Sequence, residues 1–302
     1  VKDLRQLHHF LAVADTLHFG RAAERLGMTQ PPLSQSILAL ERELGAALFT
    51  RSKRNVALTA FGHQWLEHVR PAVAGIAALP YIARRLREGS AGELALSFVS
   101  IADYSLLPAL VRHYAARFPQ VEVTLAEATS DVQIAALLDG RGHAGIIVPP
   151  DGALPDALSY MPLLREPLVA AIPEAWVDEA RQRHGGWLGG DWLDRPLILF
   201  PRRVAPVFHD RITAYLERQG RPPHVRQEAI QMQTIISLVS AGMGFALVPA
   251  SMRNLARTGV LYVDLEEAPM LETGLAWRGA DDSATLAAFL DVARGIDIGA
   301  VS

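Results

Sequence analysis

Apolar residues in the first sixty positions recur with a helical period, and glycines break the pattern into short segments. Leu7, Phe10, Leu11 and Ala14 form the inward stripe of a first helix, opened by Asp3 with Gln6 at capping-box spacing. FGRAAERLG reads as a second, with Gly20 as its cap, Ala22 and Ala23 small enough for close helix approach, and Gly27 as the left-handed residue that ends it. Thr29 is the expected N-cap of a third. Its stripe is Leu33, Ile37, Leu40 and Leu44, and Gly45 closes it. Pro31 and Pro32 fit the first turn, where backbone N–H groups lack intrahelical partners. In TRSKRNVAL, Val56 and Leu58 alternate inward as in a two-stranded wing. Residues 1–59 therefore read as an all-α winged helix-turn-helix. Gln30, Pro31, Pro32, Ser34 and Gln35 lie on its outward helix face, where polar, uncharged side chains suit a DNA major groove, and Arg51, Lys53 and Arg54 suit phosphates.

Residues 60–90 continue as one long helix. Trp65, Val69, Ala72, Ile76, Leu79, Ala83 and Leu86 alternate steps of four and three, the heptad period of a seam between two helices. A helix packed on its own domain shows the same stripe. Pro71 and Pro80 are expected to bend or interrupt it, since an interior proline costs about 3 kcal/mol.

From Glu93 the texture becomes alternating strand and helix. LALSFVS, VEVTLAEA and AGIIV read as strands, LLPALVRHYAARF and DVQIAALLDG as helices, and RPLILFP, TIISLVSAGMGFALVP and a helix from Ala284 to Ala293 continue the alternation. Parallel strands with crossover helices follow, hence an α/β domain over 91–302. Ligands in open α/β sheets bind where strands end and helices begin. Three such junctions are Ser100-Ile101-Ala102, Thr129-Ser130 and Phe200-Pro201-Arg202-Arg203, expected to converge on one cleft.

Charge is unevenly distributed. Residues 1–88 hold 12 Lys and Arg against 7 Asp and Glu, a net +5, whereas 89–302 hold 17 against 25, a net −8. The N-terminal end is therefore the one that approaches a polyanion. Cysteine is absent, which removes disulfides, thiolate nucleophiles and cysteine-bound zinc. With no run long enough to cross a membrane and no export signal, a soluble, cytoplasmic protein is expected. His-Glu-x-x-His, Gly-x-Ser-x-Gly and Walker patterns are missing, so neither an enzyme nor a metal or cofactor site is expected. Gly242 and Gly244 in AGMGF lack the third glycine of a dinucleotide loop and read as turn residues. His8 and His9 share an amphipathic helix, one packed and one solvated. A free-standing solute-binding protein would explain residues 91–302 but not the first 88.

The strings LRQLHHFLAV, AAERLGMTQPPLSQSILALERELGAALFTR and LTAFG resemble the N-terminal domain of LysR-type transcriptional regulators over roughly sixty residues in register. That resemblance implies double-stranded operator DNA as partner. It implies dimerisation through the 60–90 helix, in a homodimer or homotetramer, with RNA polymerase a further partner open to such a regulator. It also implies a C-terminal domain with the two-lobed fold of type 2 periplasmic binding proteins, lobe one being 91–163 and 269–302 and lobe two 164–268. FVSIADYSLLP, LLDGRGHAGIIV and AGMGFALVPAS look most like the branch governing breakdown of benzoate, catechol and chlorocatechol compounds. By that likeness Ser100, Ile101, Ser130, Arg202 and Arg203 would hold a small anionic effector, a carboxylate or a phosphate. The chain departs from the branch at Ile101, Arg202 and Arg203, where hydroxyl residues are usual, and at His143, where the family usually has an acid. Adjacent loop arginines equally suit solvent or surface carboxylates.

Overall fold

The computed structural model describes residues 3–51, 56–176 and 191–296, and the chain divides into two compact units, Val1–Arg84 and Arg85–Ser302. In the first, α1 (Leu4–Thr16) is capped by Asp3, whose carboxylate accepts from the Arg5 N–H at 2.9 Å. α2 (Phe19–Arg25) is capped by His18 and not by Gly20. The His18 Nδ1 accepts from the N–H groups of Gly20 and Arg21, so Gly20 lies inside the helix and an imidazole does the capping. α3 (Gln30–Leu44) follows Thr29 as N-cap, although the Thr29 hydroxyl makes no cap bond, and ends at Gly45 in the left-handed region. The wing consists of β1 (Phe49–Arg51) and β2 (Val56–Leu58), antiparallel with Thr50 opposite Ala57. Phe10, Val13, Phe19, Leu33, Ile37 and Leu40 are among the core residues they enclose.

The long helix α4 (Ala60–Arg87) runs through Pro71 and Pro80, so that of the bend or interruption expected at those residues the interruption does not occur. Both prolines are on exposed positions, as are Glu67 and Ile76 four residues earlier, so the carbonyls that lose a partner can turn to water. Its start explains the LTAFG string. The Thr59 hydroxyl donates to the Ala47 carbonyl at 2.7 Å and accepts from the Gly62 N–H at 2.8 Å. Gly62 then passes so close to β1 that an added Cβ would lie 2.2 Å from the Leu48 carbonyl oxygen.

In the second unit, β3 (Gly92–Phe98) pairs in parallel with both β4 (Val121–Glu127) and β5 (Ala144–Ile147). The crossovers are α5 (Leu106–Arg117) and α6 (Ser130–Leu138). The sheet is mixed, not purely parallel, because the sixteen-residue β6 (Leu158–Pro173) and β11 (Met270–Arg278) run antiparallel to each other and β11 also runs antiparallel to β5. Beyond Pro167, β6 exchanges β11 for β9 (Ala246–Pro249) and β10 (Val260–Asp264). That exchange divides the unit into two lobes. One core gathers Leu94, Leu106, Leu110, Tyr114, Leu275 and Phe289 beneath α5 and α9 (Ala284–Gly295). The other gathers Leu168 to Ile172, β7 (Leu197–Leu199), α7 (Pro206–Arg218) and α8 (Met232–Ser240). A short strand β8 (Val225–Glu228) pairs in parallel with β7. Gly242 is a positive-φ turn residue, whereas Gly244 permits close approach to the Pro196 carbonyl.

Because the Leu48 carbonyl is fixed backbone, Gly62→Ala should destabilise the N-terminal unit by about 1 to 3 kcal/mol. Gly75→Ala on the same helix meets open space and should be neutral or stabilising by up to about 1 kcal/mol. Calorimetric unfolding of the two variants checks this, and equal behaviour would contradict the close approach.

Candidate functional site

On α3, Gln30, Pro31, Pro32 and Gln35 are exposed and Ser34 is half-buried, while Leu33, Ile37 and Leu40 are fully buried on the opposite face. The Ser36 hydroxyl lies 2.7 Å from His9 Nδ1 and ties α3 to α1, while His8 stays exposed. Arg51 is less free than its sequence position suggests. Its guanidinium donates to Glu41 Oε2 at 3.0 Å and to the Ser34 hydroxyl at 3.4 Å, and lies 4.9 Å over the Phe19 ring. Glu41 Oε1 meanwhile accepts from the Leu48 and Phe49 N–H groups at 2.8 and 3.1 Å. One carboxylate, its side chain only 12% exposed, therefore fastens the wing to the outward helix. Nothing in the bare sequence marks Glu41 apart from the other charges of LEREL. Lys53 and Arg54 lie outside the described residues.

The α4 stripe has two owners. Trp65 and Val69 pack with Val73 on the core of their own unit. Ala72, Ile76, Leu79, Ala83 and Leu86 are exposed, the three larger ones by 42, 56 and 51%, and Tyr81 and Ile82 extend the apolar surface.

In the second unit a cleft of about 330 Å³ opens between the lobes. Ser100 and Ile101, from the 3-10 turn Ser100–Tyr104 after β3, line it together with Thr129 and Ser130 at the start of α6. Phe200 and the stretch Val204 to Phe208 face them from the other lobe. Ile101 also belongs to the buried core of that lobe. Arg202 and Arg203 do not line the cleft. Arg202 instead makes a two-point ion pair with Asp210 at 2.7 and 2.8 Å, which, with help from His209, holds the Asp210 carboxyl down at about 2. α7 starts at Pro206, so Asp210 falls in its second turn, within reach of the loop that carries Arg202.

Beneath the lining segment Ala128–Ser130, α6 is fastened by a residue that periodicity does not single out. Gln133, 1% exposed, accepts from the Ser97 hydroxyl at 2.9 Å and donates to the Ala128 and Ile146 carbonyls at 2.8 and 3.2 Å. It thereby joins α6 to β3 and β5. Ser130 Oγ accepts from the Val148 N–H at 3.1 Å, which leaves its hydroxyl proton to give. His143 has a structural place too, its Nδ1 accepting from the Ala95 N–H at 2.9 Å. Two carboxylate residues, Glu127 and Asp131, also line the cleft and were not among the expected site residues.

A winged helix-turn-helix on the same chain as a two-lobed α/β domain with a cleft defines a DNA-binding protein that carries a small-molecule-binding module. Comparison with known proteins agrees. The family model for the bacterial regulatory helix-turn-helix protein, lysR family, matches residues 4–63, and the LysR substrate binding domain matches residues 87–296. The chain belongs to the LysR family and is a DNA-binding transcriptional regulator; its relatives are regulators, not enzymes. It is 61% identical to the transcriptional regulator IlvR of Caulobacter vibrioides over 95% of this chain and 96% of that one. It is 36% identical to AlsR of Bacillus subtilis over 97% and 95%. Among solved structures, the LysR family regulator CbnR in complex with its target DNA matches with a TM-score of 0.76 at 26% identity, covering 97% of this chain and 98% of that one.

The Glu41 clamp yields a graded expectation. Glu41→Ala orphans two backbone N–H groups and frees Arg51, and should cost about 2 to 4 kcal/mol of stability as well as operator binding. Glu41→Gln keeps an acceptor oxygen for Leu48 and Phe49 and should lose roughly half as much. Denaturant titration with parallel operator-binding measurements reads both; equal losses would place the effect outside these bonds.

Proposed function

We propose that this regulator is switched by a small molecule held between the two lobes, with Gln30, Ser34 and Gln35 reading base edges and Arg51, Lys53 and Arg54 meeting phosphates. The observation that carries the reading is a cleft whose lining comes from both lobes, so that a bound molecule favours one lobe arrangement over another. The exposed stripe from Ala72 to Leu86 acts as the seam between two copies of α4, while Trp65 and Val69 anchor each helix to its own domain. Paired heads then meet paired half-sites, in a dimer or a tetramer built from such dimers. The finer likeness, to regulators of aromatic-compound breakdown, receives less support. CatR of Pseudomonas putida is 34% identical and TfdS of Cupriavidus pinatubonensis 32%, about half the identity to IlvR. Among the described residues the cleft lining also holds none of the cations that a diacid effector would call for.

Filling the cleft tests the reading. In Ala205→Trp, operator binding should persist, whereas stabilisation by any small carboxylate, amino acid or phosphorylated metabolite that stabilises the unmodified protein should vanish. At a hundred times the dissociation constant that stabilisation is about 2.7 kcal/mol. A ligand that stabilises both proteins alike would place the effector site elsewhere.

Burying charge in the seam tests the assembly. Ile76→Asp combined with Leu79→Asp should give monomers in sedimentation, because unpaired buried charges cost several kcal/mol. Unchanged oligomers would move the main interface off α4.

A further inference from the structure

We propose that the cleft takes an ammonium-bearing ligand with an apolar body, a hydrophobic α-amino acid being the simplest molecule of that description. The inference rests on the cleft being the effector site and names the chemistry it selects. Glu127, at the end of β4, and Asp131, in the first turn of α6, are the charged residues of the lining among the described residues, and no described lysine, arginine or histidine joins them. Neither carboxylate has an ion-pair partner among the described residues. Arg202 is engaged with Asp210, Arg211 with Asp151 and the Met270 carbonyl, and Arg203, next to the lining residue Val204, does not itself line the cleft. A dianion entering this space would meet two like charges with no cation among the described lining residues to offset them.

The lining is also divided by lobe. The segment from Glu127 to Asp131 places two carboxylates beside the start of α6, where Thr129 makes no side-chain cap bond and Ser130 keeps its hydroxyl proton. Acceptors for an ammonium and donors for a carboxylate thus stand within one five-residue segment of the lining, as a ligand carrying both groups requires. The opposite lobe offers Phe200, Val204, Val207 and Phe208, an apolar wall for the side chain. A volume of about 330 Å³ suits a small ligand.

The test is calorimetry on the full chain with the apolar L-amino acids, their N-acetyl derivatives, cis,cis-muconate and inorganic phosphate. At least one free amino acid should bind more tightly than about 1 mM, and acetylating its nitrogen should weaken it by about ten- to a hundred-fold. Glu127→Gln with Asp131→Asn should weaken it comparably while operator binding is retained, and Arg202→Ala should leave it unchanged. Absence of amino-acid binding, tighter binding of muconate or phosphate, or full amino-acid affinity in the double variant would each overturn the proposal. The filled variant separates the two levels. Muconate binding that Ala205→Trp abolishes keeps the cleft as the effector site and removes only the ammonium, whereas ligand binding untouched by Ala205→Trp removes both.

Discussion

One strand makes the cleft necessary. β6 is hydrogen-bonded to β11 as far as Pro167 and to β9 and β10 from Leu168 onward, so two separately cored lobes share a single continuous backbone. Glu166, buried two residues before that exchange begins, accepts from the Ser251 N–H and hydroxyl at 2.6 and 3.0 Å. It fixes the 3-10 turn Ala250–Leu255 of one lobe to the shared strand. From that turn the Asn254 amide donates to the Tyr104 carbonyl in the other lobe at 2.9 Å, and Ile101 beside it enters the second lobe's core. The lobes are pinned along this line. No strand pair crosses the lined space itself among the described residues, so the proposed ligand-dependent opening and closing would fall there.

The elements themselves were legible in the sequence because each is written in local chemistry. Glycines at positive φ ended α2 and α3 where the stripe stopped, and period-two alternation marked the wing. The cap of α2 was misread because an imidazole nitrogen can accept as a serine oxygen does, and His18 sits just before the glycine that drew attention. The antiparallel strands β6 and β11 were missed for a different reason. Strand direction depends on where the chain returns, and periodicity within a segment carries no record of that.

Side-chain partnership was the least legible feature. Arg202 resembles a ligand clamp until Asp210, eight residues on, is seen to hold it, and Arg51 resembles a free phosphate contact until Glu41 and Phe19 are seen beneath it. Gln133 gave no signal, because a buried amide bonded to two carbonyls and a serine looks in sequence like any surface glutamine. The α4 stripe was ambiguous in principle: packing on one's own domain and packing on a second copy use the same period. Only burial separates Val69 and Val73 from Ile76 and Leu79.

For a cleft to act as a switch, its ligand must prefer one lobe arrangement by a definite amount. Moving a two-state equilibrium from 1:99 to 99:1 takes about 5.5 kcal/mol of differential affinity. Burying one aliphatic or aromatic side chain contributes about 1.5 to 3 kcal/mol. A ligand body enclosed between Val99, Ile134 and Val148 on one side and Val204, Val207 and Phe208 on the other can reach the required figure only when both walls touch it. In the proposed site, polar contacts at Glu127 to Asp131 would lie on one lobe alone and add equally to open and closed forms, selecting the ligand without moving the lobes. In the proposed switch, specificity and switching thus fall to different walls of the same cavity, and the apolar wall is the one that transmits.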